Sequence, residues 1–332
     1  MKLLSPVNSF ESAKAQVENG ADEIYLGLKT DLYKRFSFSG RGQSSKEYES
    51  ITPDQNELEK IVELSHAKGV EVSLAANIPI FAEALYGDFD MEKEFLKNVY
   101  AGIECGIDNI IIGDIGLLYK LGRMNLPVKI HASSFFDTMS IDQLLFLKSL
   151  GASRCVLTYH AHMDEIEKLC RANIMEIEVF CYLSCSFLNG SCNMVHDRGE
   201  VSKGEDLLFG IPCKSRYNIS GQGIEETDYQ FFDAELGCSL CSLKTLKGLG
   251  VDVVKIAGRD RDYEMTAQVT GLFRKFMDAI DELNEEEYLR FSAESTPIWW
   301  KRLWCKNNRC KYRSNRITDS YVGVNPGLLK LG

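Results

Sequence analysis

The chain has 332 residues, of which 45% are hydrophobic, and this length suffices for one large domain or two ordinary ones. Its formal net charge of −10 opposes a broad nucleic-acid surface, because phosphate binding requires clustered lysine and arginine side chains. The sequence contains no apolar stretch of about eighteen residues and has polar residues too early for a signal peptide, so we expect a cytoplasmic protein without a membrane span.

Eight short, nearly continuous apolar segments predict parallel β-strands that are covered on both faces. The predicted strands are residues 2–5, 23–28, 70–77, 109–113, 128–132, 154–159, 177–182 and 253–257. Helical patterns follow them at residues 9–17, 55–67, 91–105, 115–121, 140–150, 163–172, 239–249 and 263–283. This alternation predicts a TIM-like (β/α)8 barrel. The alternative is a doubly wound open sheet, which would carry a glycine-rich phosphate loop after its first strand.

Two stretches depart from the alternation of strands and helices. Residues 30–53 form a long polar loop after the second predicted strand, and residues 184–237 form a cysteine-rich insertion after the seventh. Both begin at the carboxyl end of a strand, which is the catalytic face of a β/α barrel. We therefore assign residues 1–284 to the barrel, including the insertion, and residues 285–332 to a C-terminal extension.

Eleven cysteines are many for a cytoplasmic chain, where reducing conditions favour metal or redox chemistry over disulfides. An insertion at the strand ends folds back over the barrel mouth, so thiols on it can converge. Thiolates suit an iron–sulfur cluster, and zinc accepts the same ligands. The sequence predicts a metal centre whose candidate ligands are Cys185, Cys192, Cys213 and either Cys238 or Cys241.

The other cysteines have weaker claims. The alternative for the whole group is that its members are small buried hydrophobes. Cys105, Cys155 and Cys170 lie in helix or strand patterns, and we assign them to the core. Cys181 precedes the insertion and competes as a ligand. Cys305 and Cys310 are candidates for metal binding or redox exchange, in a basic segment (residues 301–316) that we interpret as solvated.

Polar side chains near the predicted carboxyl ends of the strands form a second set of candidates. Their convergence on one barrel mouth indicates a site for a small polar or anionic molecule. An arginine there suits a carboxylate or phosphate. The structural alternative is that some of these residues, such as Asp114 and His160, cap the next helix. The candidate catalytic residues are Asn77, Asp114, His131, His160, Lys255 and Arg259.

Several motifs together resemble one known family. Residues 2–6 (KLLSP) and 20–28 (GADEIYLGL) are similar to its first two strands, and residues 250–259 (GVDVVKIAGR) to its Gly-Val-Asp-x-x-Lys-Ile-Glu-Gly-Arg signature. Cys185 and Cys192 match its paired cysteines, and Cys213 lies in a segment similar to its Pro-Cys-Arg. These motifs resemble the peptidase U32, or collagenase-like, family over residues 1 to about 265.

The resemblance implies specific chemistry. Relatives in this family take part in O2-independent hydroxylation of ubiquinone precursors or RNA bases with a [4Fe–4S] cluster, and prephenate is implicated as oxygen donor in some. The substrate implied is thus a small molecule or an RNA base, with a second family member as heterodimer partner. In several relatives a cysteine precedes the signature lysine by the distance that separates Cys238 from Lys255, whereas Cys241 lies one helical turn further on.

Two other functions stay open. The family is named for proteolysis, so a collagenase-like peptidase is an alternative, although the sequence lacks the Gly-x-Ser-x-Gly and His-Glu-x-x-His motifs. Ala257 stands where the family signature has glutamate. This departure fits a non-catalytic partner subunit.

Overall fold

Ten strands are present in the computed structural model, which describes residues 1–30, 52–77, 90–183, 217–221, 224–229, 237–259, 261–306 and 310–312. They are β1 (Lys2–Pro6), β2 (Glu23–Leu26), β3 (Glu71–Ala75), β4 (Asn109–Ile112), β5 (Lys129–Ala132), β6 (Arg154–Val156), β7 (Glu176–Tyr182), β8 (Tyr217–Gly221), β9 (Ile224–Tyr229) and β10 (Val253–Ile256). Eight of them form a closed parallel barrel in the order β1-β10-β7-β6-β5-β4-β3-β2. The predicted (β/α)8 barrel is confirmed. Strands β8 and β9 form an antiparallel hairpin within the predicted insertion.

A helix follows each barrel strand, as predicted. The helices are α1 (Phe10–Glu18), α2 (Gln55–His66), α3 (Met91–Glu104), α4 (Ile115–Leu121), α5 (Ile141–Ser149), α6 (Met163–Arg171), α7 (Leu243–Gly248), α8 (Tyr263–Asp278), α9 (Glu285–Ser295) and α10 (Ile298–Trp300). Gly106 and Gly250, with φ of +88° and +93°, lie between a helix and the next strand. Because glycine enters this left-handed region without steric cost, these residues end α3 and α7. No helix in the described ranges is long and apolar enough to cross a membrane.

The apolar side chains form two layers because successive residues of a strand point to opposite faces. Leu3 belongs to the main core between the strands and the helices. Its neighbour Leu4 packs with Tyr25, Ala75, Ile111 and Val253 in a separate, smaller cluster. These five residues come from β1, β2, β3, β4 and β10, so this second cluster lies inside the barrel.

The segment after residue 284 packs on the barrel. Trp300 is fully buried, and its ring centroid lies 5.2 Å from that of Tyr182 at the end of β7. Trp304 contacts the same tyrosine ring edge-on at 5.6 Å. The hydroxyl of the buried Tyr288 donates to the carbonyl of Leu240 at 2.9 Å. The boundary at residue 284 stays a prediction, but the described part of the extension shares the barrel's core.

Charged side chains fill part of the barrel interior. The guanidinium of Arg154 donates to both carboxylate oxygens of Glu23, at 2.6 and 2.8 Å, and to Glu178 at 3.3 Å. The Lys255 ammonium donates to the other oxygen of Glu178 at 2.8 Å. Arg154, Glu23 and Glu178 are at most 1% exposed. Burying such charges costs several kcal/mol per ion unless each is paired, so the four groups depend on one another.

We predict that Arg154→Met lowers the free energy of unfolding by about 3–5 kcal/mol, because it removes the main counter-ion of the buried Glu23 and one of the two cations that pair with Glu178. Urea unfolding followed by circular dichroism measures this change. The matched control is Arg171→Met, which breaks an ion pair with Glu167 at a side chain that is 76% exposed. It should cost less than about 1 kcal/mol. Equal losses in both variants would contradict the structural role of the interior pairs.

Glu23 predicts a pH dependence of stability. Burial alone would raise the pKa of its carboxyl, but Arg154 and Lys2 outweigh burial and lower the pKa from 4.5 to about 2. A lowered pKa in the folded state stabilises the protein above about pH 4.5 and loses this effect as the pH falls towards 2, on the order of 3 kcal/mol in total. In urea unfolding, the stability difference between wild type and Glu23→Gln should therefore shrink between about pH 6 and about pH 3. A constant difference would refute this assignment.

Candidate functional site

The six predicted polar residues lie at one end of the barrel. Lys255 and His131 are third in the four-residue strands β10 and β5. The other four follow the carboxyl ends of their strands. They are Asn77 after β3, Asp114 after β4, His160 after β6 and Arg259 after β10. The barrel therefore brings these residues to its mouth, the face where β/α barrels carry their sites.

Tyr25 joins two of the candidates. Its ring centroid lies 4.3 Å from the Lys255 ammonium and 5.3 Å from the Arg259 guanidinium. Its hydroxyl donates to the carbonyl of Ile256 at 3.0 Å, which fixes the ring. The side-chain amide of Asn8 donates to the carbonyl of Arg259 at 2.9 Å. Lys255 is neutralised by Glu178, whereas the buried Nη1 of Arg259 has no hydrogen-bond partner among the described residues.

Two further candidates at the mouth carry buried polar atoms that have no hydrogen-bond partner in the described part of the chain. These are Oδ1 of Asn77 and both ring nitrogens of His131. The amide of Asn77 lies against Gly113, where an added Cβ would be 3.4 Å from Oδ1 and 2.7 Å from the ring of Phe135. Buried polar atoms without hydrogen bonds are rare in proteins. Their presence at the mouth, together with Arg259, indicates groups that a polar ligand or residues outside the described ranges would satisfy.

Asp114 has a structural role. Its carboxylate accepts the backbone N–H of Leu117 at 2.9 Å and caps α4, as in the structural alternative. The backbone N–H of His160 donates to the Thr158 hydroxyl at 3.5 Å, and α6 begins three residues further on, with His162 as its N-cap residue. His160 thus precedes the cap position and keeps its place among the candidates.

The structure describes only some of the predicted metal ligands. Cys185, Cys192 and Cys213 lie outside the described residues. Cys238 is buried and forms a β-bridge with Tyr182 at the end of β7. Its sulfur accepts the indole N–H of Trp300 at 3.1 Å. Cys238 therefore lies at the carboxyl end of β7, beside the start of the predicted insertion.

The two cysteines of the C-terminal extension, Cys305 and Cys310, also lie near Cys238. Cys310 forms a β-bridge with Cys238. Burial, with a smaller contribution from the nearby Cys305 and Cys310, raises the pKa of the Cys238 thiol to about 12. Burial also raises the pKa of Cys241, and the same neighbours contribute. Four thiols from distant parts of the sequence are thus neighbours, although no three His, Cys, Asp or Glu side chains of the described residues are arranged to hold a metal ion.

The cysteines assigned to the core behave as predicted. Cys105 and Cys155 are buried, and Cys170 is half-buried against the main core. Burial raises the pKa of all three thiols. They are packing residues in a reduced, neutral form.

Comparison with known proteins decides the family. The family model described as Peptidase family U32 matches residues 8–322. The chain belongs to this family. Its U32 relatives include the 23S rRNA 5-hydroxycytidine C2501 synthase of Escherichia coli, which is 23% identical over 85% of this chain and 40% of the relative.

Two further relatives carry different names. A collagenase of Porphyromonas gingivalis is 23% identical over 91% of this chain and 72% of its own length. The tRNA hydroxylation protein P2 of Bacillus subtilis is 26% identical over 70% of this chain and 76% of its own length. The U32 chain thus spans well under half of the rRNA-modifying relative and about three quarters of the other two.

Lys311 belongs to the site, although the sequence placed it in a solvated basic segment. That interpretation is wrong for this residue, which is 8% exposed. Its ammonium donates to the carbonyl of Tyr159 at 3.1 Å and lies 5.8 Å from the ring of Phe180. The Lys255 ammonium lies 5.7 Å from the same ring. Burial lowers the pKa of Lys311 to about 7.

Sequence reasoning also missed the acidic groups of the interior. Glu23 and Glu178 lie in largely apolar strands, and the barrel buries both side chains. A charged residue in such a strand needs a buried partner, and this signal was available from the sequence. Which partner it meets was not, because Arg154 lies 131 residues from Glu23 along the chain.

We predict that His131 stays neutral across the physiological pH range. Burial lowers the pKa of this imidazole well below 6.5, and the charge of Arg154 lowers it further. Its C2 proton signal in NMR should not shift between about pH 8 and about pH 5. The variant His131→Gln identifies the signal by its loss, and free imidazole in the sample reports the pH. A titrating His131 signal in that range would show that the ring reaches water.

Proposed function

We propose that this U32 chain is an iron–sulfur enzyme that hydroxylates an RNA base, or a small molecule, without O2. The observation that carries the proposal is the similarity to proteins named for rRNA and tRNA hydroxylation over 85% and 70% of the chain. The barrel mouth supports it with buried polar groups that suit a small polar substrate. A base taken out of its stack is a ligand of this size.

The described residues fit one end of a cluster site. The sulfur of Cys238 is buried and accepts an N–H from Trp300, and such hydrogen bonds tune iron–sulfur centres. In the proposal, Cys185, Cys192, Cys213 and Cys238 hold a [4Fe–4S] cluster. Cys241 is the alternative fourth ligand, and zinc is the alternative metal. A bound cluster would supply one-electron transfer next to the barrel mouth.

The chain's own side chains would bind and orient the substrate. Arg259 presents an Nη1 that has no partner among the described residues, and Asn77 presents a carbonyl oxygen. The neutral ring of His131 offers one donor and one acceptor nitrogen. Lys255 is held by Glu178 at 2.8 Å, so its position is set by the ion pairs of the interior. An acidic oxygen donor such as prephenate would suit the cation Arg259.

We predict that the chain purified without O2 and reconstituted contains about four irons and four sulfides per molecule, the composition of a [4Fe–4S] cluster. Cys238→Ser should lose most of this iron, because it removes one of four ligands. Iron and sulfide analysis, with EPR of the dithionite-reduced protein, measures the result. The matched control is Cys170→Ser, a half-buried core cysteine, which should retain the iron.

Three outcomes separate the alternatives. Retention of iron by Cys238→Ser but not by Cys241→Ser would make Cys241 the fourth ligand. Zinc in place of iron in the reconstituted wild type would replace the cluster by a zinc site. A colourless protein that binds neither metal would refute the metal centre.

The substrate is tested in cells. Deletion of the gene should remove one hydroxylated nucleoside from digests of total RNA, as measured by liquid chromatography and mass spectrometry. The wild-type gene should restore the nucleoside, and Cys238→Ser should not. Unchanged RNA nucleosides would exclude an RNA base and leave a small molecule as the substrate.

The relative named as a collagenase favours proteolysis as a second candidate function. Among the described residues, His131 makes no hydrogen bond through either ring nitrogen and so has no serine or cysteine nucleophile paired to it. Incubation of the reconstituted protein with denatured collagen tests this function. Fragments that persist with metal-free protein and disappear with His131→Gln would establish a peptidase.

A further inference from the structure

Lys311 differs from the other buried cations of the barrel end. Arg154 and Lys255 each donate to a buried glutamate. Lys311, equally enclosed, forms no ion pair with any carboxylate of the described residues. Within the described ranges its ammonium makes one hydrogen bond, to the carbonyl of Tyr159 at 3.1 Å. An ammonium has three donors, so two of them have no partner among these residues.

The surroundings of this ammonium are aromatic. The ring centroids of Tyr159, Phe180 and Tyr312 lie 5.6, 5.8 and 5.7 Å from Nζ. A cation–π contact attracts an ammonium more weakly than its hydration shell does. Three rings and one carbonyl therefore compensate the charge only in part.

Hydrogen bonds of Lys311 and Tyr312 anchor this segment to the barrel. The backbone N–H of Lys311 donates to the carbonyl of Cys238 at 2.8 Å. The hydroxyl of the next residue, Tyr312, donates to the carbonyl of Phe180 at 3.0 Å, and its carbonyl accepts from the Ser242 hydroxyl at 3.4 Å. The segment is thus tied to β7 and to the turn before α7, so the ammonium is pre-organised beside the mouth.

We propose that Lys311 is an anion-binding residue that accepts a carboxylate or phosphate group of a ligand at the barrel mouth. Two unused donors in an aromatic, largely water-free setting suit an oxyanion, because charge-assisted hydrogen bonds are about twice as strong as neutral ones. Lys255, whose ammonium also lies near the ring of Phe180, is already neutralised by Glu178. Protonated Lys311 therefore supplies a positive charge that no carboxylate of the described residues compensates, and the site does not depend on the proposed hydroxylation.

The test measures thermal unfolding of the full chain at about pH 6, below the pKa of about 7 of Lys311, so that its amine is mostly protonated. Inorganic phosphate or malonate is added and compared with sodium chloride at the same ionic strength. We expect an anion to raise the Tm of the wild type and not that of Lys311→Met. Without added anion, Lys311→Met should be as stable as the wild type or more so, because it removes a partly compensated buried charge. Lys306→Met, an exposed lysine of the same segment, is the matched control and should respond like the wild type.

The outcomes are distinct. A response to phosphate alone identifies a phosphate ligand, a response to malonate alone a carboxylate, and a response to both a general oxyanion site. An unchanged response in Lys311→Met would overturn the proposal, and so would no response in the wild type. A lower Tm of Lys311→Met without anion would also overturn it, since that is the signature of a structural lysine. Iron content of Lys311→Met, expected to equal that of the wild type, separates this result from failure of the cluster.

Discussion

The guanidinium of Arg154 and the carboxylates of Glu23 and Glu178 lie together inside the barrel, with Lys255 on the far side of Glu178. Side chains at this depth have no access to bulk water, so each charge is tolerable only because the next one is in place. These four groups come from four strands. Because β2 is not a neighbour of β6 or β7 in the barrel, it contacts them here only through side chains. The strand arrangement and the position of Lys255 therefore depend on each other.

The polar groups inside the barrel therefore differ along its axis in whether they are paired. The paired charges occupy the interior. Polar atoms of Asn77, His131 and Arg259 that no described residue satisfies lie towards the carboxyl ends of the strands. Paired groups hold their geometry, whereas unpartnered groups retain hydrogen-bonding capacity for a ligand. The mouth thus combines a rigid base with unused donors and acceptors, as a binding site requires.

The C-terminal extension completes this end of the molecule. Trp300 covers Tyr182 and donates to the sulfur of Cys238, while Lys311 enters beside Phe180. The same segment therefore contributes to packing, to the surroundings of a candidate metal ligand and to the charge of the mouth. A boundary at residue 284 describes the sequence pattern, but the described contacts cross it.

Local signals in the sequence predicted the fold well. Continuous apolar runs located all eight barrel strands, and glycines such as Gly106 marked where helices end, because both depend on neighbouring residues. They also placed Asn77, His131 and Arg259 near the mouth, since the carboxyl ends of parallel strands share one face. The role of Asp114 stayed open, because an acceptor before a helix serves equally as a cap or as a ligand.

The sequence by itself thus determined the barrel, the family motifs and the face that carries the polar candidates. Tertiary structure alone decided that Arg154 pairs with Glu23, that Cys310 lies beside Cys238, and that Lys311 is buried. The physical reason is chain separation. Residues far apart in the sequence meet only after the strands close and the extension docks, and a side chain's solvent exposure follows from that docking rather than from its own segment.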